Sequence, residues 1–198
     1  MSYGALTLYQ SVMGITPGPH NLMCMYLCAE KGIKGAYRFI IGSIIGYTVK
    51  CLLCGFLNLV LASFIPKLMP VLKWVGCAYM VYLAVHLLIS GWKEEPEEKA
   101  GAKTDGKTTY GSGLLLQVVN VKSWIACLSV FSVYVIPFTS AASAIIITVL
   151  ISTLCVIIAS ILWGGCGQVM SSVYRKYKKA FCVIFALSLL YCAVTAVI

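Results

Sequence analysis

Charged side chains are scarce in this sequence, and its long apolar stretches contain no carboxylate. Charged residues make up 11% of the 198 residues and hydrophobic residues make up 61%, whereas about one quarter of an ordinary soluble domain is charged. Such a composition cannot supply a water-exposed surface, so it excludes a soluble enzyme or binding domain. The acidic residues all lie in short polar segments between apolar ones, at Glu30, Glu94, Glu95, Glu97, Glu98 and Asp105.

The apolar stretches are long enough for six membrane spans. A helical span needs about 20 apolar residues, and we predict one all-α integral membrane domain over residues 1–198 with spans at 3–29, 39–64, 73–92, 112–136, 142–167 and 180–198. No basic residue precedes Lys31, and the first apolar stretch is longer than that of a signal peptide. We therefore expect this span to be retained. The lipid bilayer is the partner that this surface implies, and the sequence indicates no cofactor or metal.

Basic residues are distributed very unequally between the two predicted sides. Eleven of the 15 Lys and Arg flank one side, and only Lys67 and Lys73 flank the other. Because cytoplasmic loops carry the excess of Lys and Arg, the eleven-residue side is predicted to be cytoplasmic, with both termini outside. This topology accounts for the net charge of +9 without nucleic-acid binding.

A polar linker at 93–111 separates three predicted spans from the next three. We expect it to be a mobile cytoplasmic connector. An odd number of spans in each half means that the second half runs inverted relative to the first. Many secondary transporters have this 3+3 inverted repeat and bind substrate at the midplane between the halves.

Cysteines are absent from the predicted loops, since all ten fall within spans. A disulfide framework is typical of exposed segments and is therefore not expected. Cys51 and Cys54 form a Cys-x-x-Cys pair, which indicates either redox or metal chemistry or simple packing by small, soft side chains. We expect packing and redox inertness.

Span 1 contains a sequence that cannot continue an α-helix, Thr16-Pro17-Gly18-Pro19. The two prolines leave carbonyls unpaired and push their predecessors out of the helical region. Exposed backbone groups cannot face lipid, so the break lines a cavity or is buried in protein. Pro19 suits the first position of a restarted helix, whose free amides around His20 and Asn21 form an anion site. A proline kink satisfied by a neighbouring helix is the structural alternative.

Lys50 and Lys122 are charged side chains deep in predicted spans, where such residues are functional candidates by default. From the cytoplasmic ends, Pro17, Lys50 and Lys122 all lie at a depth of roughly 15 to 18 Å. Gln117 and Asn120 accompany Lys122 within two helical turns. We predict a substrate site at this depth, although Lys50 leaning on backbone carbonyls and Gln and Asn bonding between helices are structural alternatives.

Three segments resemble the LysE/RhtB family of amino-acid exporters: Gly14-Ile15-Thr16-Pro17-Gly18-Pro19-His20-Asn21-Leu22, Leu72-Lys73-Trp74-Val75-Gly76-Cys77-Ala78-Tyr79, and Leu115-Leu116-Gln117-Val118-Val119-Asn120-Val121-Lys122. Most members have Asn where His20 stands and Pro where Val121 stands. The chain is similar to the branch that exports cysteine and O-acetylserine at three places: Asn120-Val121-Lys122, Ser132-Val133-Tyr134-Val135-Ile136-Pro137 and the late Leu189-Leu190-Tyr191-Cys192. The resemblance implies a proton-coupled exporter in the bacterial inner membrane, not an enzyme.

The lack of a membrane carboxylate favours a neutral amino acid as substrate over lysine or arginine. Its carboxylate is expected at the span 1 half-helix and Lys122, and its ammonium at the freed carbonyls of Met13 and Ile15 with Asn120. The predicted binding residues are Thr16, Pro17, Gly18, Pro19, His20, Asn21, Lys50, Gln117, Asn120 and Lys122.

Two alternative functions and the oligomeric state stay open. A thiol-disulfide electron carrier would need two cysteines on facing helices at the midplane, with Cys51 paired to Cys24 or Cys127. A structural subunit without transport is the second alternative, but it would give no function to the unpaired Lys50 and Lys122. A homodimer and a monomer both fit the sequence.

Overall fold

A computed structural model describes residues 2–92 and 109–197. Within these ranges the chain is helical and has no strand. Eight α-helices and one π-helical segment follow one another as α1 Tyr3–Ile15, α2 Pro19–Phe56, α3 Asn58–Trp92, α4 Tyr110–Val119, α5 Val121–Ser129, the π segment Val130–Val135, α6 Ala142–Val169, α7 Ser171–Lys176 and α8 Lys178–Val197. Residues 93–108 of the predicted linker lie outside the described ranges, and only its last residues are described.

Helix α2 is a hairpin of two helices that meet at Gly32. Gly32 has φ 68° and ψ 172°, a conformation that glycine adopts without steric cost because it has no Cβ. The rings of His20 and Phe39 lie 6.4 Å apart between centroids, whereas an unbroken helix would separate them by roughly 28 Å. Residues 19–31 therefore fold back along residues 33–56.

Two further breaks interrupt long apolar segments. Between α1 and α2, residues 16–18 are not helical, as the proline content of this segment predicts. Between α4 and α5, Asn120 has φ −79° and ψ 94°, and the helices on its two sides are bent by 67°. The second break is not predicted from the sequence, because neither proline nor glycine marks it.

Four described helices are long and apolar enough to cross a membrane, or five if α4 and α5 with the π segment count as one bent span. This number treats α2 as a single helix. The chain is therefore a multi-pass helical membrane protein, while the number of six spans stays a prediction.

The end of the second predicted span differs from the observed helix boundary. The α2 helix ends at Phe56 and α3 begins at Asn58, so that residues 65–72, predicted as a turn, are helical. Hydropathy is continuous through Leu57, and composition therefore gives no signal for a break at that place.

Helix α2 packs against α6 and α4, and α3 pairs with α8. One apolar core joins the first half of α2 to α3 and α8 through side chains such as Tyr26, Leu87 and Leu189. A second core joins α1, the second half of α2, the π segment and α6.

Candidate functional site

The first helix break is held in shape by local hydrogen bonds. The Asn21 side chain, in the first turn of α2, donates to the carbonyls of Gly14 at 2.7 Å and Thr16 at 3.0 Å. The Thr16 hydroxyl donates to the carbonyl of Met13 at 3.0 Å. Two of the carbonyls that the break frees from α1 are therefore satisfied within the segment itself.

Lys122 supplies the remaining contacts of this break from α5. Its Nζ donates to the Thr16 carbonyl at 2.8 Å, the Thr16 hydroxyl at 2.7 Å and the Pro17 carbonyl at 3.2 Å. Lys122 is partly exposed. Because an ammonium has three N–H donors, these three oxygens use its full hydrogen-bonding capacity.

The second helix break is closed by Lys50 from the second half of α2. Its Nζ donates to the Gln117 carbonyl at 2.7 Å, to Gln117 Oε1 at 3.3 Å and to the Ser123 hydroxyl. Asn120 caps α5, with its side chain accepting from Ser123 N at 3.4 Å. Lys50 is only 3% exposed. These contacts correspond to the structural alternative for Lys50, in which it pairs with backbone carbonyls.

His20 is buried in the first turn of α2 and meets α6. Its Nε2 lies 3.0 Å from the Ser160 hydroxyl, which donates to the Val156 carbonyl at 2.7 Å. Because the hydroxyl proton is used there, His20 Nε2–H is the donor in its bond to Ser160. The other close polar atom is Cys24 Sγ, at 3.7 Å from Nε2.

A cavity of about 60 Å³ lies between the two breaks, where α1, α2, α4, α5 and α6 meet. This volume fits roughly four to six waters, the size class of a small amino acid. The lining contains no carboxylate within residues 2–92 and 109–197. It includes these polar residues: Gln10, His20, Asn21, Tyr47, Gln117, Asn120, Lys122 and Ser123.

A second cavity, of about 390 Å³, lies on the other side of Lys122 between α3, α5 and α8. Its lining is mostly apolar, with Lys73, Lys122 and Thr195 among its polar members. Met13, Gly18, Asn120 and Lys122 line both cavities. Lys122 and the first break therefore border both spaces.

The structure brings most of the predicted binding residues together. Gly18, His20, Asn21, Gln117, Asn120 and Lys122 line the first cavity, and Pro17 and Pro19 line the second. Thr16 touches Lys122 without lining either cavity, and Lys50 lines neither. The binding role of each residue stays a prediction, and for Lys50 the geometry favours a structural role.

Three polar residues of the site were missed by sequence reasoning. Gln10 is 3% exposed, and its amide donates to the Tyr47 hydroxyl at 2.9 Å and the Ser152 hydroxyl at 2.8 Å. Ser123 contacts Lys50, and Ser160 contacts His20. An amide inside an apolar span is the signal that would have found Gln10. Serines are too common in spans to be singled out.

Two cysteines on facing helices meet in the second core. Cys51 Sγ lies 3.5 Å from Cys127 Sγ, and both side chains are 0% exposed. All described cysteines are free thiols, and no group of His, Cys, Asp and Glu side chains within the described ranges is arranged to hold a metal ion. The pair required by the electron-carrier alternative is therefore present as thiols.

A polar cavity at the junction of broken helices, inside a multi-pass membrane protein, is typical of secondary transporters. Residues 11–198 match the family model described as LysE type translocator. The chain therefore belongs to the LysE family of amino-acid efflux transporters, as the motif resemblance predicted. Its class is a multi-pass bacterial membrane transporter.

Similar curated proteins agree with this class. The chain is 28% identical over 190 residues to a cysteine/O-acetylserine efflux protein of Escherichia coli O157:H7, covering 96% of this chain and 94% of that protein. It is 29% identical over 195 residues to the protein of the same name in Salmonella typhi, covering 98% and 96%. No solved structure matches the chain. These names indicate a transporter, and they do not favour the electron carrier.

Proposed function

We propose that this protein exports small neutral amino acids of the cysteine and O-acetylserine type across the bacterial inner membrane, in exchange for protons. The family and the named function of the relatives support amino-acid efflux. His20 lines the first cavity, and an imidazole can take up and release a proton on a ring nitrogen. It is our candidate for the proton carrier.

Six spans in a 3+3 inverted repeat are the topology we propose. Counting the α2 hairpin as two crossings adds one to the five obtained with the bent pair. Span 1 then consists of α1 and residues 19–31, broken at its middle, and span 4 consists of α4, α5 and the π segment, also broken. A break in the first span of each half supports the internal relation between the halves.

The cavity between the two breaks is the observation that carries the proposed function. One end of it presents the first turn of α2, whose N-cap Gly18 has no side chain with which to cap the first backbone amides. Free amides and the positive end of a helix favour a carboxylate. Without a carboxylate in its described lining, the cavity offers no partner to the side chain of lysine or arginine. A neutral amino acid is therefore the preferred substrate.

Inside-out membrane vesicles give a direct test, because export appears as uptake. Labelled cysteine, O-acetylserine, threonine and lysine are compared with and without an imposed proton gradient. We expect gradient-dependent uptake of cysteine and O-acetylserine and no uptake of lysine above that of vesicles without the protein. Lysine uptake at the same rate would contradict the substrate class, and uptake indifferent to the gradient would contradict proton exchange.

The thiols provide a separate test against the electron-carrier alternative. We expect Cys51→Ala with Cys54→Ser to keep more than half of the original transport rate at equal expression, because both side chains are buried and neither lines either cavity. Vesicle uptake normalised to protein level is the measurement. A folded double variant without transport would return the redox function to consideration.

A further inference from the structure

Each helix break holds a lysine ammonium, but the two ammonium groups differ in access. Lys50 is 3% exposed, and its Nζ lies 5.9 Å from the Tyr47 ring centroid and 5.2 Å from that of Trp124. Lys122 is partly exposed and borders both cavities. Water or a ligand in either cavity can therefore replace the hydrogen bonds of Lys122, whereas the Lys50 ammonium is enclosed by protein.

The oxygens around Lys122 Nζ form a cradle, which we define as the Thr16 carbonyl, the Thr16 hydroxyl and the Pro17 carbonyl. The two Thr16 oxygens lie 2.8 and 2.7 Å from Nζ, the distances of charge-assisted hydrogen bonds, and the Pro17 carbonyl lies at 3.2 Å, the long end of an ordinary hydrogen bond. The Asn21 amide also binds the Thr16 carbonyl, which fixes the direction of that oxygen. Such a cradle recognises a primary ammonium group, whichever molecule carries it.

We propose that the cradle is the binding site for the substrate α-ammonium, and that Lys122 occupies it only while the transporter is empty. On binding, the substrate ammonium replaces Lys122 Nζ on the Thr16 and Pro17 oxygens. Lys122 then turns its ammonium to the substrate carboxylate. This inference rests on the proposed function for the identity of the substrate, but the cradle itself is defined without it.

This exchange keeps every charged group hydrogen-bonded without an acidic side chain. A zwitterion brings one positive and one negative group, so the displaced Lys122 ammonium gains a carboxylate as the cradle gains a new ammonium. An unpaired buried charge would be costly, and the exchange leaves none. A site without a carboxylate in its described lining can thus bind an α-ammonium.

The exchange also vacates space that borders the two cavities. A Cβ placed on Gly18 would lie 3.2 Å from Lys122 Cδ and 3.3 Å from Nζ, so the lysine stem fills the space beside the break. When Lys122 leaves the cradle, this space joins the first cavity to the second. Substrate binding and opening of the path are then one event.

Amine binding to a variant that lacks the lysine tests the cradle. In Lys122→Ala the cradle is vacant, so ethylammonium chloride should raise the midpoint of thermal unfolding of the purified protein by a few degrees, because a ligand stabilises the state that it binds. Tetramethylammonium chloride at equal concentration should not, since it has no N–H donor. The wild-type protein should respond to neither salt, because an amine without a carboxylate offers no partner to the Lys122 ammonium that it would displace.

Lys34→Ala, which removes an exposed lysine, is the control and should behave as the wild type. An equal response of Lys122→Ala to both salts, or no response, would overturn the proposal. If Lys122→Ala folds only in the presence of an amine, the folded yield with each salt replaces the melting midpoint, and equal yields again overturn it. The assay contains no amino acid and measures no transport, so its failure would leave the export function untouched.

Discussion

Lys50 and Lys122 are of the same residue type at similar depth, and their surroundings give them different roles. The Lys50 ammonium is buried and ties the second half of α2 to the broken segment of α4 and α5. The Lys122 ammonium is accessible and rests on oxygens of the first break. Replacing either lysine by methionine keeps the apolar stem and removes the charge, so the pair forms a matched experiment.

We expect Lys122→Met to insert and fold, but to bind substrate about 10- to 100-fold more weakly, because a hydrogen bond to a charged group contributes about 1.5 to 3 kcal/mol. The loss of affinity is nearer 10-fold if removal of the Lys122 ammonium, which competes with the substrate ammonium for the cradle, offsets part of it. Lys122→Arg should restore binding only in part, since a planar guanidinium does not replace a compact ammonium. The Michaelis constant for uptake into inside-out vesicles is the measurement, and an unchanged value would exclude a binding role.

Lys50→Met is the stability counterpart. It removes the donor from the two buried Gln117 oxygens, at a cost of about 1 to 3 kcal/mol for each unsatisfied group, while the Ser123 hydroxyl keeps its bond to the Asn120 carbonyl. We expect the thermal midpoint of the purified protein to fall by roughly 2 to 10 °C, and by less in Lys122→Met, where water reaches the vacated oxygens. A larger loss in Lys122→Met would reverse the two assignments.

At the scale of elements, the position of the second break depends on close contact between α2 and α4. A Cβ on Gly113 of α4 would lie 2.1 Å from the Phe39 carbonyl and 2.7 Å from the Ser43 backbone nitrogen of α2. Only a glycine lets the two backbones approach this closely. Gln117 lies one turn further along the same helix and reaches Lys50 because of this contact.

Gly113→Ala should therefore separate α2 from α4 and displace the second break. Overpacking of this kind costs about 1 to 3 kcal/mol, and we expect a melting midpoint lower by roughly 2 to 10 °C together with reduced transport. Gly165→Ala in α6 is the matched control, because a Cβ there meets nothing within 4 Å. Equal melting midpoints for the two variants would show that the close contact is not required.

At the scale of the whole molecule, the orientation in the membrane is predicted from the basic residues. Single cysteines placed at Lys67 and at Thr104, in a background without other cysteines, report on the two sides. We expect a membrane-impermeant thiol reagent applied to intact cells to label position 67, where Lys67 is exposed, and to spare position 104. Labelling of 104 alone would invert the proposed topology.

The sequence by itself determined the class of the protein and the first helix break. Apolar length requires helices in a membrane because backbone groups must be paired within each segment, and Pro17 and Pro19 cannot continue a helix. The same reasoning selected His20, Gln117, Asn120 and Lys122, because polar groups in apolar spans are costly. These conclusions depend on local chemistry alone.

Only the tertiary structure decided which polar groups meet. The break at Asn120, the hairpin at Gly32 and the approach of Cys51 to Cys127 all depend on how helices pack, and no local pattern specifies them. For the same reason the sequence gives Lys50 and Lys122 one description, a lysine inside an apolar span. Their hydrogen-bond partners lie on other helices, so the distinction between an enclosed ammonium and an exchangeable one exists only in the folded chain.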